Sequence, residues 1–363
     1  MIFLLSILLA FHSTVFARQE SLEELDVLLL SKNRSKKHKK KYVKPLLSRI
    51  KNIESKENID IIFTLPPLIR EKLEEDGFKG TFKPYNPSII KTTEGYDVIC
   101  RTSNYSPPDY KTLVPNDIHA NKNFFLRYDK NFKLLYEQEI APIPSHLAKK
   151  INKHLQIEDC RIFHWNGGCW LVGASSIGQK HYLPKIAIAQ LTCFDNKEPV
   201  SIESFTLFYG PDQKRAEKNW MPLVDNQKLK FIYSYEPFMV LEVNIETGTS
   251  EQVLSYSSPL DFSRFRGSAA PISFENGYLM MVHERLRKFD YIHRFLFLDK
   301  NFNVTKLSLP FKFTGTDIEY CTSMTIDHSG NNLVIPIGVY DKEAKILIVD
   351  LDYVKGLLQD IQI

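Results

Sequence analysis

The chain repeats one short pattern, in which an apolar strand, a tight turn and a second apolar strand follow one another. The clearest copy runs from Gln156 to Ser176 and has Asn166-Gly167 at its turn. Asn-Gly between two apolar runs is the strongest short-range signal for a β-hairpin, because both turn positions need a positive φ. The pattern therefore predicts a hairpin whose open ends lie side by side, with Asp159 close to the residues after Gly173.

Four more copies of this pattern occur along the chain. They begin at Asn86, Asn219, Ala270 and Ser323, and with Asp159 marking the clearest copy the successive spacings are 73, 60, 51 and 53 residues. A unit of strands and turns that recurs every ~40 to 70 residues is typical of a propeller blade. One or two such hairpins would favour a β-sandwich. Five in succession predict an all-β fold, a five-bladed β-propeller.

A second repeat supports the same fold. Residues 125–134 and 295–304 each contain a strand, an Asp-Lys-Asn turn and another strand. They lie outside the five hairpins, so we interpret them as outer hairpins of two different blades.

The sequence divides into three parts. Residues 1–17 form an apolar run that is too short to span a bilayer and ends in small residues, which predicts a signal peptide. Residues 18–75 are predicted to form a basic, partly helical or mobile extension, with a short helix over 21–30. Residues 76–354 have the composition of one compact β domain and are predicted to form the propeller. A signal peptide implies a secreted or periplasmic protein, and an uncleaved one implies a membrane anchor.

The positive charge of the chain is local. Of 47 Lys and Arg residues, ten lie between Lys32 and Lys51, a run without acidic residues, which leaves 37 against 43 acidic residues elsewhere. Such a run is commonly a solvated segment, and its functional interpretation is attraction to an anionic lipid or glycan surface. It lacks interleaved aromatic residues, a recognition helix and a zinc motif, which argues against a nucleic-acid partner.

The cysteines predict neither a disulfide scaffold nor a metal site. They are odd in number and few: Cys100, Cys160, Cys169, Cys193 and Cys321. One disulfide bond is compatible with them, although four occupy strand or strand-entry positions where buried thiols are common. Their spacing matches no zinc motif, and we predict no cofactor or metal for this chain.

In a propeller, one end of every inner hairpin opens onto the same axial pocket. This arrangement is expected to gather polar residues from all five repeats: Asn86, Arg101, Asp159, Arg161, Lys218, Asn219, Arg266, Ser268, His283, Glu319, Tyr340 and Asp341. The three tryptophans, Trp165, Trp170 and Trp220, fall in the second and third hairpins. Polar groups between aromatic faces suit a sugar, whose hydroxyls need directional partners and whose C–H face packs on a ring. Each type also has a structural interpretation, in which asparagines cap turns, Lys218 is solvated and tryptophans pack the blades.

Several of these segments resemble the motifs of glycoside hydrolase family 130, the β-mannoside phosphorylases and mannosidases. The matching segments, in order, are Asn86-Pro87-Ser88 with Arg101, Glu158-Asp159-Cys160-Arg161, Glu217-Lys218-Asn219-Trp220, Arg266 to Pro271 with Gly277-Tyr278-Leu279 and His283, and Gly338 to Asp341. The resemblance covers residues 82–350 and implies a five-bladed propeller. The family has Pro where this chain has Cys160.

The resemblance also implies a mechanism, with Asp159 as the general acid of an inverting phosphorolysis or a mannosyl transfer. Asp159 protonates the departing glycosidic oxygen while phosphate attacks the anomeric carbon, so no second catalytic carboxylate is required. Inorganic phosphate is then a co-substrate, and the cationic residues expected to hold it are Arg161, Lys218, Arg266 and His283. The residues expected to contact an oligosaccharide or glycan substrate are Asn86, Arg101, Asn219, Trp220, Tyr340 and Asp341.

Two alternatives stay open. Phosphorolysis outside the cytoplasm would release a sugar phosphate that the cell cannot easily retain, so the predicted signal peptide favours an exported glycosidase. The other alternative is a propeller that binds glycans without catalysis.

Overall fold

The computed structural model describes residues 22–33, 35–61, 83–103, 121–141, 143, 155–176, 183–192, 200–212, 214–287 and 290–361. The chain divides into two compact units, Met1–Ile50 and Lys51–Ile363. The predicted signal peptide, residues 1–17, lies outside the described residues, and so does Cys193.

The described part of the first unit contains the helices α1 (Leu22–Leu30) and α2 (Lys36–Leu47). α1 agrees with the helix predicted over 21–30. Glu23 and Glu24 lie in its first turn, where their negative charge interacts favourably with the positive end of the helix dipole. α2 contains much of the basic run, and on it Tyr42 and Leu46 are buried while most of its described lysines are exposed. No helix in the described part of the chain is both long and apolar enough to cross a membrane.

The second unit is a five-bladed β-propeller. Blade 1 consists of β2 (Lys83–Lys91), β3 (Gly95–Ser103), β4 (Asn121–Asp129) and β5 (Leu134–Glu139). Blade 2 consists of β6 (Gln156–Trp165), β7 (Gly168–Ser176), β8 (Ile186–Leu191) and β9 (Ile202–Phe208). Blade 3 consists of β10 (Met221–Asp225), β11 (Lys228–Tyr235), β12 (Phe238–Asn244) and β13 (Thr249–Tyr256).

The last two blades have a divided inner strand and an additional outer strand. Blade 4 consists of β14 (Phe265–Gly267), β15 (Ile272–Phe274), β16 (Gly277–Arg285), β17 (Tyr291–Leu298), β18 (Val304–Ser308) and β23 (Leu358–Asp360). Blade 5 consists of β19 (Glu319–Cys321), β20 (Thr325–Ile326), β21 (Asn332–Val339), β22 (Glu343–Asp350) and β1 (Glu57–Asp60). A helix, α3 (Leu351–Leu357), links β22 to β23.

The predicted hairpins are confirmed. Each of the five inner hairpins is an antiparallel pair at the start of a blade, and in the clearest copy Asn166 and Gly167 have φ values of 48° and 72°. The two outer hairpins are β4–β5 and β17–β18. In each outer turn an aspartate, Asp129 or Asp299, accepts hydrogen bonds from two backbone N–H groups of the turn.

The propeller extends past both predicted boundaries, 76 and 354. β1 pairs with β22, and β23 pairs with β18, so both segments form outermost strands of blades. The prediction that residues 18–75 lie outside the propeller is therefore wrong for β1. This strand has only four residues and a single apolar side chain, Ile59, so its sequence carries no detectable strand pattern, and its place depends on pairing with β22.

The core consists of apolar layers between neighbouring blades. In β3, Val98 belongs to a layer shared with blade 5, and Ile99 belongs to a layer shared with blade 2. Successive side chains of a strand point to opposite faces, so an inner strand contributes to two layers at once. Cys100, Cys160 and Cys321 are buried free thiols.

Hydroxyl side chains on the innermost strands join neighbouring blades. Ser88 Oγ accepts a hydrogen bond from the N–H of Ile162 over 2.9 Å, which joins blades 1 and 2. Ser268 Oγ donates to the carbonyl oxygen of Cys321 over 2.6 Å, which joins blades 4 and 5. Ser268, predicted to face the pocket, is therefore a fully buried link between blades.

Candidate active site

Three residues with left-handed backbone conformations lie at corresponding places in blades 1 to 3. The φ angles of Asn86, Asp159 and Asn219 are 47°, 53° and 60°. In blades 1 and 2 the register of the inner hairpin shifts at this place. Positive φ is uncommon outside glycine, and a β-bulge redirects a side chain out of the normal alternation of its strand. All three side chains form hydrogen bonds with a residue of another blade.

Asp159 is held by two donors from blade 1. Asn86 Nδ2 and Arg101 Nη1 both donate to Asp159 Oδ1, over 2.9 Å and 2.6 Å, and the side chain of Asp159 is 23% exposed. Burial alone would raise the pKa of Asp159, but the charge of Arg101, the hydrogen bonds from Asn86 and Arg101, and the charge of Lys218 outweigh burial and lower this pKa below its ordinary value. Asp159 is therefore a carboxylate at neutral pH in this structure.

Arg101 supports Asp159 rather than lining the pocket. Its side chain is 6% exposed and lies 3.3 Å from the carboxylate of Glu158. It also donates two hydrogen bonds to Asn121 Oδ1, over 2.9 Å and 2.7 Å. Both Arg101 and the buried Asn86 were predicted to contact substrate, and the structure commits them to positioning Asp159.

Gly338 of blade 5 fixes the place of Asn86. A Cβ atom at Gly338 would lie 2.2 Å from Asn86 Oδ1 and 2.5 Å from its backbone nitrogen. Only glycine allows this approach without moving Asn86, so Gly338 belongs to the support of Asp159.

Arg161 crosses between blades and does not face the pocket. Its Nε donates to the carbonyl oxygen of Ser268 over 3.1 Å, and its Nη2 donates to Gly267 O over 3.4 Å and to Tyr320 Oη over 2.9 Å. The residue is 2% exposed. The predicted direct contact between Arg161 and phosphate does not fit a guanidinium enclosed in this way, so Arg161 is a structural cation that joins blades 2, 4 and 5.

Tyr320 connects Arg161 to Asn219. Its hydroxyl donates to Asn219 Oδ1 over 2.7 Å. Burial raises the pKa of Tyr320 to about 12, although the charge of Arg161 opposes this shift. The phenol is therefore protonated at neutral pH, which agrees with its role as donor to Asn219.

Lys218 and Arg266 supply the exposed positive charge. Both side chains are exposed, and in the part of the chain that the structure describes Lys218 forms no ion pair. Its charge contributes to the lowered pKa of Asp159, so the two groups lie close enough to act on each other. Arg266 Nη1 donates to the carbonyl oxygens of Ser263 and Phe265 over 3.0 Å and 2.6 Å.

His283 is a neutral ring in this pocket. It lies edge-on to Tyr320 with ring centroids 5.2 Å apart and stacks on Tyr291 at 5.5 Å. Burial lowers the pKa of His283 well below its ordinary value, and the charges of Arg161 and Arg266 lower it further while Asp159 opposes them. The ring is therefore neutral in this structure and can offer one N–H donor, and the contact between His283 and phosphate stays a prediction.

Tyr340 and Asp341 bring a second carboxylate near Tyr291, on which the charge of Asp159 also acts. They have φ values of 53° and 50° at the end of β21, and Tyr340 is 39% exposed. Burial raises the pKa of Tyr291, and the charges of Asp341 and Asp159 raise it further, so both carboxylates act on this phenol.

Two predicted pocket residues are parts of the core instead. Trp220 is 1% exposed, packs on Phe231 with ring centroids 5.7 Å apart and donates from Nε1 to Glu217 Oε2 over 2.9 Å. The prediction that Trp220 contacts a sugar is wrong, because all three tryptophans pack in the layer between blades 2 and 3. Glu319 is fully buried and accepts backbone N–H donors from Phe313 and Thr314.

Sequence reasoning missed Tyr320, Tyr291 and Asn121. Tyr320 lies in β19, three residues before the fifth hairpin copy begins at Ser323, so the hairpin repeat did not mark it. Tyr291 and Asn121 begin third strands of their blades, outside the hairpins that define the repeat, so nothing local marks them.

A separate cavity of about 670 Å³ lies at the turn ends of the first hairpins, away from Asp159. It is lined by Lys91, Asp97, Arg127, His164 and His328, among others, and by none of the predicted site residues. Among the described ranges, no group of His, Cys, Asp and Glu side chains is arranged to hold a metal ion.

No protein-family model matches the chain, and no curated protein matches it. Solved structures do. A mannose phosphorylase from Leishmania mexicana, in complex with a phosphate ion, has a TM-score of 0.52 and 12% identity, covering 85% of this chain and 92% of that one. A β-1,2-mannobiose phosphorylase from Listeria innocua, in complex with β-1,2-mannobiose, has a TM-score of 0.51 and 12% identity, covering 76% and 91%.

A third structure comes from work on glycoside hydrolases of family 130 that target β-1,2-mannosidic linkages in Candida mannan. Its TM-score is 0.51 at 13% identity, covering 76% of this chain and 86% of that one. The fold is that of the family 130 propellers. The resemblance indicated by the sequence motifs is thus confirmed for the fold.

Proposed function

We propose that this protein is a carbohydrate-active enzyme that acts on β-mannosides by inverting phosphorolysis or mannosyl transfer, with Asp159 as the catalytic acid. The observation that carries the proposal is the carboxylate of Asp159, which accepts hydrogen bonds from Asn86 and Arg101 and is acted on by the charge of an exposed cation, Lys218. Phosphorolysis needs such a pair, because an acid serves the leaving oxygen while a cation holds the attacking phosphate. The phosphate and β-1,2-mannobiose bound by two proteins of the same fold support both co-substrates.

Asp159 needs a proton before it can act as an acid. A like charge nearby raises the pKa of a carboxyl group. Phosphate held by Lys218 offsets the cation that lowers the pKa of Asp159 and adds negative charge of its own. Phosphate binding therefore favours protonation of Asp159 by solvent. Asp159 then donates this proton to the departing glycosidic oxygen.

The reaction requires no further catalytic carboxylate, because phosphate arrives as the nucleophile. Its oxygen forms the new bond to the anomeric carbon, and the glycosidic bond breaks with its electron pair on the leaving oxygen, which Asp159 protonates. Tyr340 and Asp341 are predicted substrate contacts that the structure leaves at least partly exposed, and we assign them to the sugar side of the pocket.

Hydrolysis is the second candidate. It is favoured by Asp341, whose charge acts on Tyr291 together with that of Asp159. Inverting glycosidases use two carboxyl groups, one as acid and one as base for water. The family 130 hydrolases of the same fold support this alternative.

Product analysis distinguishes the two candidates. The full chain is incubated with β-1,2-mannobiose in the presence and absence of inorganic phosphate. We expect α-mannose 1-phosphate to form only when phosphate is present, and Asp159→Asn to slow its release by about 100- to 10,000-fold. Asp225→Asn, at the turn end of β10, is the matched control and should retain the wild-type rate. Free mannose released equally without phosphate would favour hydrolysis, and no product from the wild-type protein would contradict an enzymatic role.

A further inference from the structure

We propose that Asn219 is a hydrogen-bond donor to bound phosphate and that the buried cation Arg161 polarises it through Tyr320. Arg161 thus acts on phosphate without touching it. The inference rests on the proposed function for the identity of the anion, and the experiment below separates the two.

The polarity of the hydrogen bonds fixes the orientation of Asn219. A phenol has one hydrogen to donate. Tyr320 Oη accepts from Arg161 Nη2 over 2.9 Å and donates its hydrogen to Asn219 Oδ1 over 2.7 Å. The amide of Asn219 must therefore present its oxygen to Tyr320, which turns Nδ2, with its two N–H donors, away from Tyr320.

The positive charge behind this relay is not neutralised by a carboxylate ion pair. Among the residues that the structure describes, the hydrogen-bond acceptors of Arg161 are backbone carbonyl oxygens and Tyr320 Oη. Hydrogen bonds in a chain polarise one another, and the effect is larger where water is excluded. Because Arg161 is 2% exposed, its charge strengthens the donor at the far end of the chain, Asn219 Nδ2.

The surroundings of Asn219 favour an anion. Asn219 is partly exposed, and within the described part of the chain its Nδ2 has no hydrogen-bond partner. Lys218 precedes it and is exposed. His283 lies edge-on to Tyr320, and although burial is the main cause of its lowered pKa, the charges of Arg161 and Arg266 also act on it, so two cations lie near this side of the site. Phosphate oxygens accept hydrogen bonds from both an ammonium and an amide, so the pair Lys218 and Asn219 matches this ligand.

The test is a double-mutant cycle on phosphate affinity, measured by calorimetric titration of inorganic phosphate without any sugar. Tyr320→Phe removes the phenol oxygen, which frees the Asn219 amide and cuts it off from Arg161. We expect it to weaken phosphate binding by about tenfold. Asn219→Ala should weaken binding at least as much, and adding Tyr320→Phe to Asn219→Ala should have no further effect, because the relay acts only through Asn219.

Tyr256→Phe is the matched control. The phenol of Tyr256 also donates one hydrogen bond and accepts one, to Phe302 O over 3.1 Å and from Val304 N over 3.0 Å. Burial raises its pKa to about 12, as for Tyr320. Tyr256→Phe should lower the thermal unfolding midpoint, as Tyr320→Phe does, but should leave the affinity for phosphate unchanged.

Any of three results would overturn the inference. The first is wild-type phosphate affinity in Tyr320→Phe, and the second is no phosphate binding by the wild-type protein. The third is that Tyr320→Phe weakens phosphate binding in the Asn219→Ala background by as much as it does in the wild-type protein. Phosphate binding that follows the expected cycle without cleavage of any mannoside would uphold the inference while the proposed function fails. Phosphorolysis with an unchanged phosphate KM in Tyr320→Phe would uphold the function and refute the relay.

Discussion

Replacing Arg101 by methionine should turn Asp159 from a stabilised carboxylate into an uncompensated buried acid. Removing one partner of a buried ion pair costs about 3–5 kcal/mol. The side chains of Arg101 and Asp159 are 6% and 23% exposed, so partial hydration of the carboxylate places the cost at the lower end. We expect Arg101→Met to reduce the free energy of unfolding by about 3 kcal/mol at neutral pH.

This cost should depend on pH in a defined direction. In the wild-type protein the pKa of Asp159 is lowered, so its contribution to stability is present above the unfolded-state pKa and is lost as pH falls through the folded-state pKa. Without Arg101, only Asn86 and Lys218 oppose burial, so the pKa of Asp159 should rise and this contribution to stability should be reduced. The cost of Arg101→Met should therefore be small near pH 4, about the ordinary pKa of an aspartate, and grow toward neutral pH.

Urea unfolding at a series of pH values measures this cost for Arg101→Met, Asp159→Asn and the double variant. The double variant should recover stability relative to Arg101→Met, because the buried charge is gone. Recovery should be incomplete, since Glu158 also loses its partner. Arg101→Lys, which keeps the charge but loses the two-pronged geometry, is the control and should show a smaller cost. A cost of Arg101→Met that is the same at all pH values, or unchanged when Asp159 is Asn, would refute the reasoning.

Three further predictions follow from the structure. Gly338→Ala places a Cβ 2.2 Å from Asn86 Oδ1 and should cost about 1–3 kcal/mol in urea unfolding; because Asn86 then moves off Asp159, the pKa of Asp159 should rise, and an unchanged pH–rate profile would contradict this. Trp220→Phe removes the hydrogen-bond donor to Glu217 and should lower the thermal unfolding midpoint without changing the affinity for sugar. A raised KM for the mannoside would instead indicate that Trp220 contacts the substrate. Replacing the exposed lysines of α2 by glutamine should weaken binding to anionic vesicles at low salt and leave turnover unchanged, since exposed charges are screened within about 8 Å at physiological salt; equal vesicle binding would exclude the surface interpretation.

The hairpins were predictable because their signals are local. The turn at Asn166 and Gly167 needs only neighbouring residues to fix it, and the structure has positive φ at both. Asn86, Asp159 and Asn219 were singled out by their shared place in the repeat. Asn and Asp tolerate left-handed backbone better than most residues, which explains why these types occupy these bulges.

The partners of the site residues were not predictable, because each depends on how the blades face one another. Arg161 occupies a motif position expected to bind phosphate, but its guanidinium meets carbonyl oxygens of blade 4 and Tyr320 of blade 5. From its backbone position, the side chain of Trp220 could face either the propeller axis or the neighbouring blade. In the structure it packs on Phe231, in the layer between blades. Residue type and spacing do not carry that information.

The pairing of β1 with β22 sets an order of events during synthesis. Blades 1 to 3 use consecutive strands, so each can form as soon as its own residues have left the ribosome. Blade 5 cannot be completed in this way, because β1 precedes the other described strands and pairs with β22, which follows all of them except β23. Contacts between distant parts of a chain form slowly. Until β22 is made, the ring is open beside blade 1, and β1 and the unpaired strand edges are accessible to chaperones and to other chains.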